Sequence, residues 1–280
     1  MNRIEQLERF YYKSEKPEVM YEAGEGSPLV VFNVATHGNE YRPVAAVEEF
    51  VQTFNSGDLL KGTVRFTLAN PVALRAGRRF LHSDLNRAYP GNILAQGEDK
   101  IAAQMLELVR DADYVIDLHT APDPPPFVIL GARNESRLQL AELVPIKQIV
   151  LFEATAPCAM VDFTRCGIGI ELGGHESDAS VIQGVSSINY LMSGLGLLKD
   201  GSQAIEEHDY YEIYRALTKD EVPGRILGGL RNFQPVANSV VGVQTEEEFS
   251  FPVLTGIKDY SSIYCYLAKK VDRERLGGSL

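Results

Sequence analysis

Apolar and polar positions follow two different periods along the first two thirds of the chain. Residues 29–35 form a short apolar run rich in β-branched side chains, which predicts a buried strand. Residues 42–54 carry apolar side chains at helical spacing, which predicts an amphipathic helix packed on a sheet. The same alternation predicts strands at 64–69, 114–118, 127–130, 149–152 and 166–174, and helices at 98–109, at 135–143 and after Ser177. The predicted fold class is therefore α/β, with a mostly parallel, twisted sheet and helices on both of its faces.

The pattern of apolar and polar residues changes at residues 199–202, where a Lys-Asp-Gly-Ser stretch separates the two parts of the chain. We predict one domain over residues 1–202, beginning with an exposed leader at 1–27, and a second domain over residues 203–280. In the second part, short apolar runs alternate with frequent turns, which is typical of a small β-rich domain. The strands predicted there lie at 226–227, 239–243, 249–254 and 263–267.

Composition and charge restrict the classes of function. The chain has 280 residues and a formal net charge of −11 at pH 7, so its overall field repels nucleic acid and anionic membranes. Its three cysteines are widely spaced and lack a C-x-x-C motif, which favours free thiols in a reducing compartment. The first residues carry charges instead of a signal-peptide core, and no run approaches the roughly 20 apolar residues of a membrane span. We therefore predict a soluble protein of the cytoplasm.

Candidate metal ligands follow two of the predicted strands. His37 and Glu40 stand three positions apart at the start of a predicted helix, and this spacing points both side chains the same way. Taken alone, the pair is equally well explained as a loop histidine beside a helix-capping glutamate. His119, however, ends strand 114–118, and a parallel sheet brings such strand ends onto one edge. Two histidines and one carboxylate are the ligands of a catalytic zinc site that leaves one position for water.

Other residues offer acid–base and anion-binding chemistry. Glu171 lies within an apolar, glycine-rich strand, and because a buried acid without a task is rare, it is the candidate general base. A basic, loop-like segment that follows a strand end contains Arg75, Arg78, Arg79 and Arg87. Charge alone favours a solvated surface for this segment, whereas its position suits bidentate capture of a small carboxylate.

Several short motifs lie in a characteristic order between residues 36 and 173. They are Thr-His-Gly-Asn-Glu at 36–40, Asn-Pro at 70–71, Arg-Phe at 79–80, Asp-Leu-Asn-Arg at 84–87, Asp-Leu-His at 117–119 and Gly-Ile-Glu-Leu-Gly at 169–173. In order and approximate spacing they resemble the aspartoacylase / succinylglutamate desuccinylase family, a branch of the zinc carboxypeptidase-like hydrolases. The resemblance implies a zinc-dependent hydrolase that removes an acyl group from a small N-acylated amino acid.

The resemblance also implies a role for each residue of the metal site. His37, Glu40 and His119 would hold one zinc ion per chain, and Asp84 would orient a zinc-binding histidine. Glu171 would activate the zinc-bound water and later protonate the leaving amine.

The remaining implied roles concern the substrate. Arg79 would polarise the scissile carbonyl, Asn86 and Arg87 would grip the α-carboxylate, and Tyr260 would enter the cleft from the C-terminal domain. In the family that domain narrows the cleft, which favours small acylated amino acids over peptides. One departure concerns Arg165, which lies only six residues before the catalytic glutamate, closer than the arginine that recognises a substrate side-chain carboxylate in animal aspartoacylases.

Two other functions use the same residues. A zinc carboxypeptidase would hold a peptide C-terminus with Asn86 and Arg87, and release of C-terminal residues from peptides would favour it. A non-catalytic protein that binds a carboxylate metabolite would not need Glu171 as a general base. The expected partner is a small anionic acyl-amino acid rather than nucleic acid or membrane. The family often dimerises, so the resemblance permits a homodimer, but the sequence does not show the oligomeric state.

Overall fold

The computed structural model describes residues 14–153, 157–199, 207–221, 229–243, 247–256 and 262–278. Its strands are β1 (Glu18–Glu25), β2 (Leu29–Val34), β3 (Gly62–Leu68), β4 (Tyr114–Ala121), β5 (Phe127–Leu130), β6 (Gln148–Leu151), β7 (Gly167–Gly174), β8 (Asp209–Thr218), β9 (Val236–Ala237), β10 (Phe249–Val253) and β11 (Ile263–Val271). Its helices are α1 (Tyr41–Thr53), α2 (Pro71–Ala76), α3 (Gly97–Val109), α4 (Glu135–Glu142), α5 (Asp178–Gly194), α6 (Asn238–Val241) and α7 (Glu274–Gly277). The predicted strand 127–130 matches β5 residue for residue, and the other elements predicted up to residue 174 agree within two residues, except that β4 continues three residues beyond the predicted strand 114–118.

All of these strands belong to one sheet in the order β1-β3-β2-β4-β7-β5-β6-β8-β11-β10-β9. Pairs β2–β3, β2–β4, β4–β7, β5–β6 and β6–β8 are parallel. Pairs β1–β3, β5–β7, β8–β11, β10–β11 and β9–β10 are antiparallel. The α/β class is confirmed, but the sheet is mixed rather than mostly parallel as predicted. Residues 18–25 of the predicted leader contribute one antiparallel pair as the edge strand β1. Strand β5 contributes a second against β7, and the C-terminal strands β8 to β11 contribute the other three.

The C-terminal strands extend the same sheet. Strand β8 pairs in parallel with β6, and β11, β10 and β9 follow it outward. Predicted strands 249–254 and 263–267 are confirmed as β10 and β11, whereas residues 238–241 form helix α6 instead of the strand predicted at 239–243. Residues 226–227 lie outside the described residues. The division into domains at residues 202 and 203 stays a prediction.

Helices cover both faces of the sheet. Along β2, Phe32 belongs to an apolar core with α1, α4 and α5, whereas its neighbour Val31 packs in a second core with Met105 of α3. This alternation follows from the two-residue period of a strand, and it means that β2 is buried on both faces. Within the part of the chain that is described, no helix is both long and apolar enough to cross a membrane.

Candidate functional site

The turn after β2 carries the first two candidate ligands. Ala35 has a left-handed φ of 57°, and the chain then passes through His37 to Glu40 at the start of α1. Gly38 lies so close to helix α2 that an added Cβ would stand 2.1 Å from the backbone carbon of Ala73. Only glycine fits this contact. The turn is therefore held against α2, which fixes His37 and Glu40 in a buried position.

Three predicted ligands converge at this point. The Nδ1 atom of His37 lies 2.7 Å from Oε1 of Glu40, and Nδ1 of His119 lies 3.0 Å from Oε2 of the same carboxylate. One donor atom from each of the three residues lies within 4.8 Å of the others, and all three residues are buried. The structure thus brings together two side chains from the β2–α1 turn and one from the end of β4.

Each imidazole is held from behind by an aspartate. Nε2 of His37 lies 3.1 Å from Oδ1 of Asp84, and Nε2 of His119 lies 2.9 Å from Oδ2 of Asp117. When the Nε2 atoms carry the protons and donate to these carboxylates, both Nδ1 lone pairs point toward Glu40. Sequence reasoning assigned no role to Asp117, although it stands two positions before His119 and strand periodicity places both on one face. Asp117 is fixed in turn by Asn33, whose Nδ2 donates to it at 2.7 Å.

This donor set fits a divalent metal such as zinc. Burial opposes the charged imidazolium of His119, but Asp117 and Glu40 outweigh it and raise the pKa of His119. Burial likewise opposes ionisation of Glu40, yet His37 and His119 lower its pKa well below the usual value. Two imidazoles held by aspartates and one buried, ionised carboxylate are a donor set that favours a divalent cation between them.

Glu171 stands directly beside the ligand group. It pairs in register with His119 across β4 and β7, and its side chain is buried. Its Oε2 atom has no hydrogen-bond partner among the described residues. Burial raises the pKa of Glu171 to about 7, with His119 opposing the shift and Glu40 adding to it. A buried carboxylate with a free acceptor atom and a pKa near neutrality is suited to proton transfer.

The predicted substrate-binding residues line the same cleft. Nη2 of Arg79 donates to Oδ2 of Asp84 at 3.1 Å, and Nη1 lies 3.5 Å from Oε1 of Glu40. Asn86 and Arg87 also line the cleft, and the buried Oδ1 of Asn86 has no hydrogen-bond partner among the described residues. The segment predicted to be a loop includes the short helix α2, which ends before these residues.

A buried glutamate from α3 anchors the segment that carries these residues. Oε1 of Glu98 accepts the backbone N–H of Leu81 at 2.7 Å, and Oε2 accepts those of His82 and Ser83 at 3.1 and 3.2 Å. Burial opposes ionisation of Glu98, but these hydrogen bonds outweigh it and lower its pKa. The sequence predicts Glu98 only as the first residue of helix 98–109, because nothing local indicates that its side chain meets a distant loop.

Three remaining residues have different outcomes. Arg165 lies outside the cleft, where its Nη1 donates to Oδ1 of Asp113 at 2.7 Å near the amino ends of β4 and β7. Tyr260 lies outside the described residues. The sequence assigns no role to His175, which lines the cleft with its Nδ1 atom 2.8 Å from the hydroxyl of Thr120. A single histidine after a glycine pair offers no spacing from which this position could be predicted.

Sequence comparison matches residues 27–179 to a family model described as the succinylglutamate desuccinylase/aspartoacylase catalytic domain. The chain is 35% identical over 103 residues to a succinylglutamate desuccinylase of Serratia proteamaculans, which covers 33% of this chain and 32% of that protein. It is 32% identical over 128 residues to a succinylglutamate desuccinylase of Photorhabdus laumondii, covering 39% of each protein. The matched region thus spans only about a third of the length of these relatives.

Solved structures share the fold over a larger part of the chain. The succinylglutamate desuccinylase of Chromobacterium violaceum superposes with a TM-score of 0.71 at 18% identity, covering 89% of this chain and 86% of that one. Murine aminoacylase 3 superposes with a TM-score of 0.67, also at 18% identity, covering 89% of this chain and 97% of that one. At this level of identity, the superpositions establish a common fold.

Proposed function

Since this chain belongs to the succinylglutamate desuccinylase/aspartoacylase family, we propose that it is a zinc-dependent deacylase of small N-acylated amino acids. The observation that carries the proposal is the position of Glu171. Its unpartnered, buried Oε2 atom lies on the strand next to His119, within the cleft that His37 and Glu40 also line. Leaving such an acceptor unsatisfied costs about 1–3 kcal/mol, which a purely structural carboxylate would not need to bear.

His37, Glu40 and His119 would hold the metal through Nδ1, a carboxylate oxygen and Nδ1. Their buried arrangement and the two aspartates behind the imidazoles support this assignment. When bound, the ion supplies Lewis acidity that polarises a carbonyl and lowers the pKa of water. Asp84 and Asp117 keep both Nδ1 atoms turned toward the ion by accepting the Nε2 protons.

Glu171 accepts the proton of the attacking water and later delivers it to the nitrogen of the leaving amine. The raised pKa of this carboxyl, about 7, suits both halves of that transfer at neutral pH. Arg79 donates to the carbonyl oxygen as negative charge develops on it. Asn86 and Arg87 bind the α-carboxylate of the amino-acid part, which fixes the scissile amide relative to Glu171.

The test is a measurement of metal content together with a hydrolysis screen. The purified protein is assayed on N-acetyl, N-formyl and N-succinyl amino acids, with a short peptide beside them and the Glu171→Gln protein as control. We expect about one zinc per chain, as for a single site of this type, and turnover of at least one acyl-amino acid. Absence of bound metal after zinc loading, or equal activity of Glu171→Gln, would contradict the proposal.

Two other functions are separated by the same screen. Trimming of the peptide without turnover of any acyl-amino acid would favour a carboxypeptidase that holds a C-terminus with Asn86 and Arg87. Saturable binding of acyl-amino acids without turnover would favour a carboxylate-binding protein. Location in the cytoplasm and assembly as a homodimer stay predictions, checked by cell fractionation and by light scattering.

A further inference from the structure

The face of the sheet beside Glu171 has an unfilled position. Gly169 precedes Glu171 by two residues on β7, so both residues address the same side of the sheet. A Cβ added to Gly169 would meet only the Cβ of Ile129 within 4 Å, at 3.7 Å. The backbone of Gly169 does not have a positive φ, so its conformation does not require glycine. What the glycine provides is space next to the candidate general base.

Apolar side chains line the cleft into which this space opens. Ile129 pairs with Gly169 across β5 and β7, and Phe152, Val161 and Leu254 line the same cleft. These walls are supported from behind by a packed apolar core to which Leu254, Ile129 and Phe152 all belong. The ring of Phe152, for example, lies 4.6 Å from that of Tyr266. The walls are therefore held in place before any ligand binds.

We propose that Gly169, Ile129, Phe152, Val161 and Leu254 form an apolar subsite that binds an uncharged acyl chain of the substrate. This inference rests on the proposed function, because it assumes an acyl-amino acid whose carbonyl lies at Glu171. The acyl chain begins at that carbonyl, and Gly169 lies two residues before Glu171 on β7, on the same face of the sheet. The amino-acid part extends instead toward Asn86 and Arg87, where its carboxylate finds donors.

Desolvation also favours an uncharged chain. The carboxylate of Asp162 lines the cleft, but its Oδ2 accepts the backbone N–H groups of Cys158 and Ala159, each at 3.0 Å, and its Oδ1 lies 4.0 Å from Nη1 of Arg137, so its charge is compensated within the protein. An anionic acyl chain would lose its hydration against the apolar walls. An aliphatic chain would instead gain roughly fourfold in binding for each methylene removed from water.

The experiment compares acyl groups on one amino acid, using the zinc-loaded full chain. N-acetyl, N-butyryl and N-succinyl forms are assayed with the wild type, Gly169→Ala and Gly169→Val. We expect kcat/KM of the wild type to rise about fifteenfold from acetyl to butyryl, as two buried methylenes imply, and to fall below the acetyl value for succinyl. Gly169→Val should lower kcat/KM for butyryl at least tenfold more than for acetyl, and Gly169→Ala should have a smaller effect in the same order. Metal content and the far-ultraviolet circular dichroism spectrum establish that each variant is folded.

Gly57→Ala and Gly57→Val are matched controls, because Gly57 lies in an exposed turn away from the cleft and a Cβ there has no contact closer than 3.5 Å. They should leave the acyl preference unchanged. A wild-type preference for succinyl over butyryl would overturn the subsite while leaving the deacylase function intact. So would Gly169 variants that lower kcat/KM equally for all acyl groups, or that change preference only among amino-acid side chains. Failure to hydrolyse any acyl-amino acid would instead contradict the proposed function itself.

Discussion

Glu171 and Glu98 are both buried glutamates, with 8% and 1% of their surfaces exposed, yet their carboxylates meet opposite surroundings. Glu98 accepts three consecutive backbone N–H groups at 81–83, and its Oε1 also lies 3.4 Å from Nδ2 of Asn70. Oε2 of Glu171 accepts from no described group. Burial raises the pKa of Glu171 to about 7, whereas at Glu98 the hydrogen bonds overcome burial and lower the pKa.

Because two buried carboxylates differ so much in pKa, burial by itself does not identify a catalytic acid. Removing a carboxylate from water disfavours its charge, and only hydrogen bonds or nearby cations restore it. At Glu98 the hydrogen bonds fully compensate the loss of hydration, so its carboxylate stays charged and holds a loop in place. At Glu171 the compensation is incomplete, so the carboxylate keeps an unpartnered acceptor atom and a raised proton affinity, both of which suit proton transfer. Four predictions test whether the two glutamates differ in this way.

The largest effect is expected from Glu171→Gln. The amide has nearly the same shape but cannot accept the proton of water, so kcat should fall by about 10²–10⁴-fold, the usual contribution of a general base. Zinc content should stay near that of the wild type, because His37, Glu40 and His119 remain. The measurement is steady-state hydrolysis together with metal analysis. Full activity in this variant would remove Glu171 from the mechanism.

The second prediction compares the two carboxyl groups directly in the metal-free protein. Carboxyl ¹³C NMR, assigned with Glu171→Gln and Glu98→Gln, should show Glu171 titrating near pH 7 and Glu98 below 4.5. Because the folded state holds the Glu171 proton more tightly than the unfolded state, this residue's contribution to stability is complete at low pH. It is lost as the pH rises from about 4.5 to 7, so metal-free Glu171→Gln should be more stable than the wild type at pH 8. Similar titration midpoints for both carboxyl groups would show that their different hydrogen-bond partners do not give them different pKa values.

The sequence predicts the part of the site that depends on strand ends. His37 and His119 each follow an apolar run, and neighbouring parallel strands β2 and β4 bring them together as expected. Asp117 could have been found by the same logic, since it alternates with His119 on one strand face. Glu98 could not, because its partners at residues 81–83 approach it only through the tertiary fold. Arg165 is the converse case: it is near Glu171 in sequence, but it lies before the amino end of β7, whereas Glu171 is the fifth residue of that extended strand.

The fold was predicted best where both faces of a strand are buried. Such strands are long apolar runs, and β2, β4 and β7 were all located from them. The edge strand β1 and strand β8 were missed, because each carries charged residues, such as Glu22 and Glu212, among its apolar positions. The strand predicted at 239–243 is wrong, since the four residues Asn-Ser-Val-Val at 238–241 do not distinguish a single helical turn from a strand by periodicity. The direction of β5 relative to β7 depends on how the chain crosses over, which no local pattern encodes.

The third prediction concerns Asp117, a buried carboxylate that contacts the proposed metal ligand His119. Asp117→Asn replaces an acceptor that lies 2.9 Å from Nε2 of His119 by an amide, which can adopt the wrong donor orientation. Zinc affinity, measured by competition with a chelator, should fall by about 10–100-fold. Asp113→Asn is the matched control, because Asp113 pairs with Arg165 outside the cleft. Equal zinc affinities for the two variants would show that Asp117 does not orient His119.

The smallest effect on catalysis is expected from Glu98→Gln. The amide places an N–H₂ group where the backbone of residues 81–83 needs an acceptor, so the free energy of unfolding should fall by about 1–3 kcal/mol. Because the same loop carries Asn86, KM should rise several-fold while kcat changes less. Glu107→Gln on the same helix is the control, since Glu107 is exposed and forms only a surface ion pair with Arg110. If Glu98→Gln lowered kcat as strongly as Glu171→Gln did, Glu98 would take part in the reaction itself. The presence or absence of hydrogen-bond donors would then no longer distinguish the two glutamates.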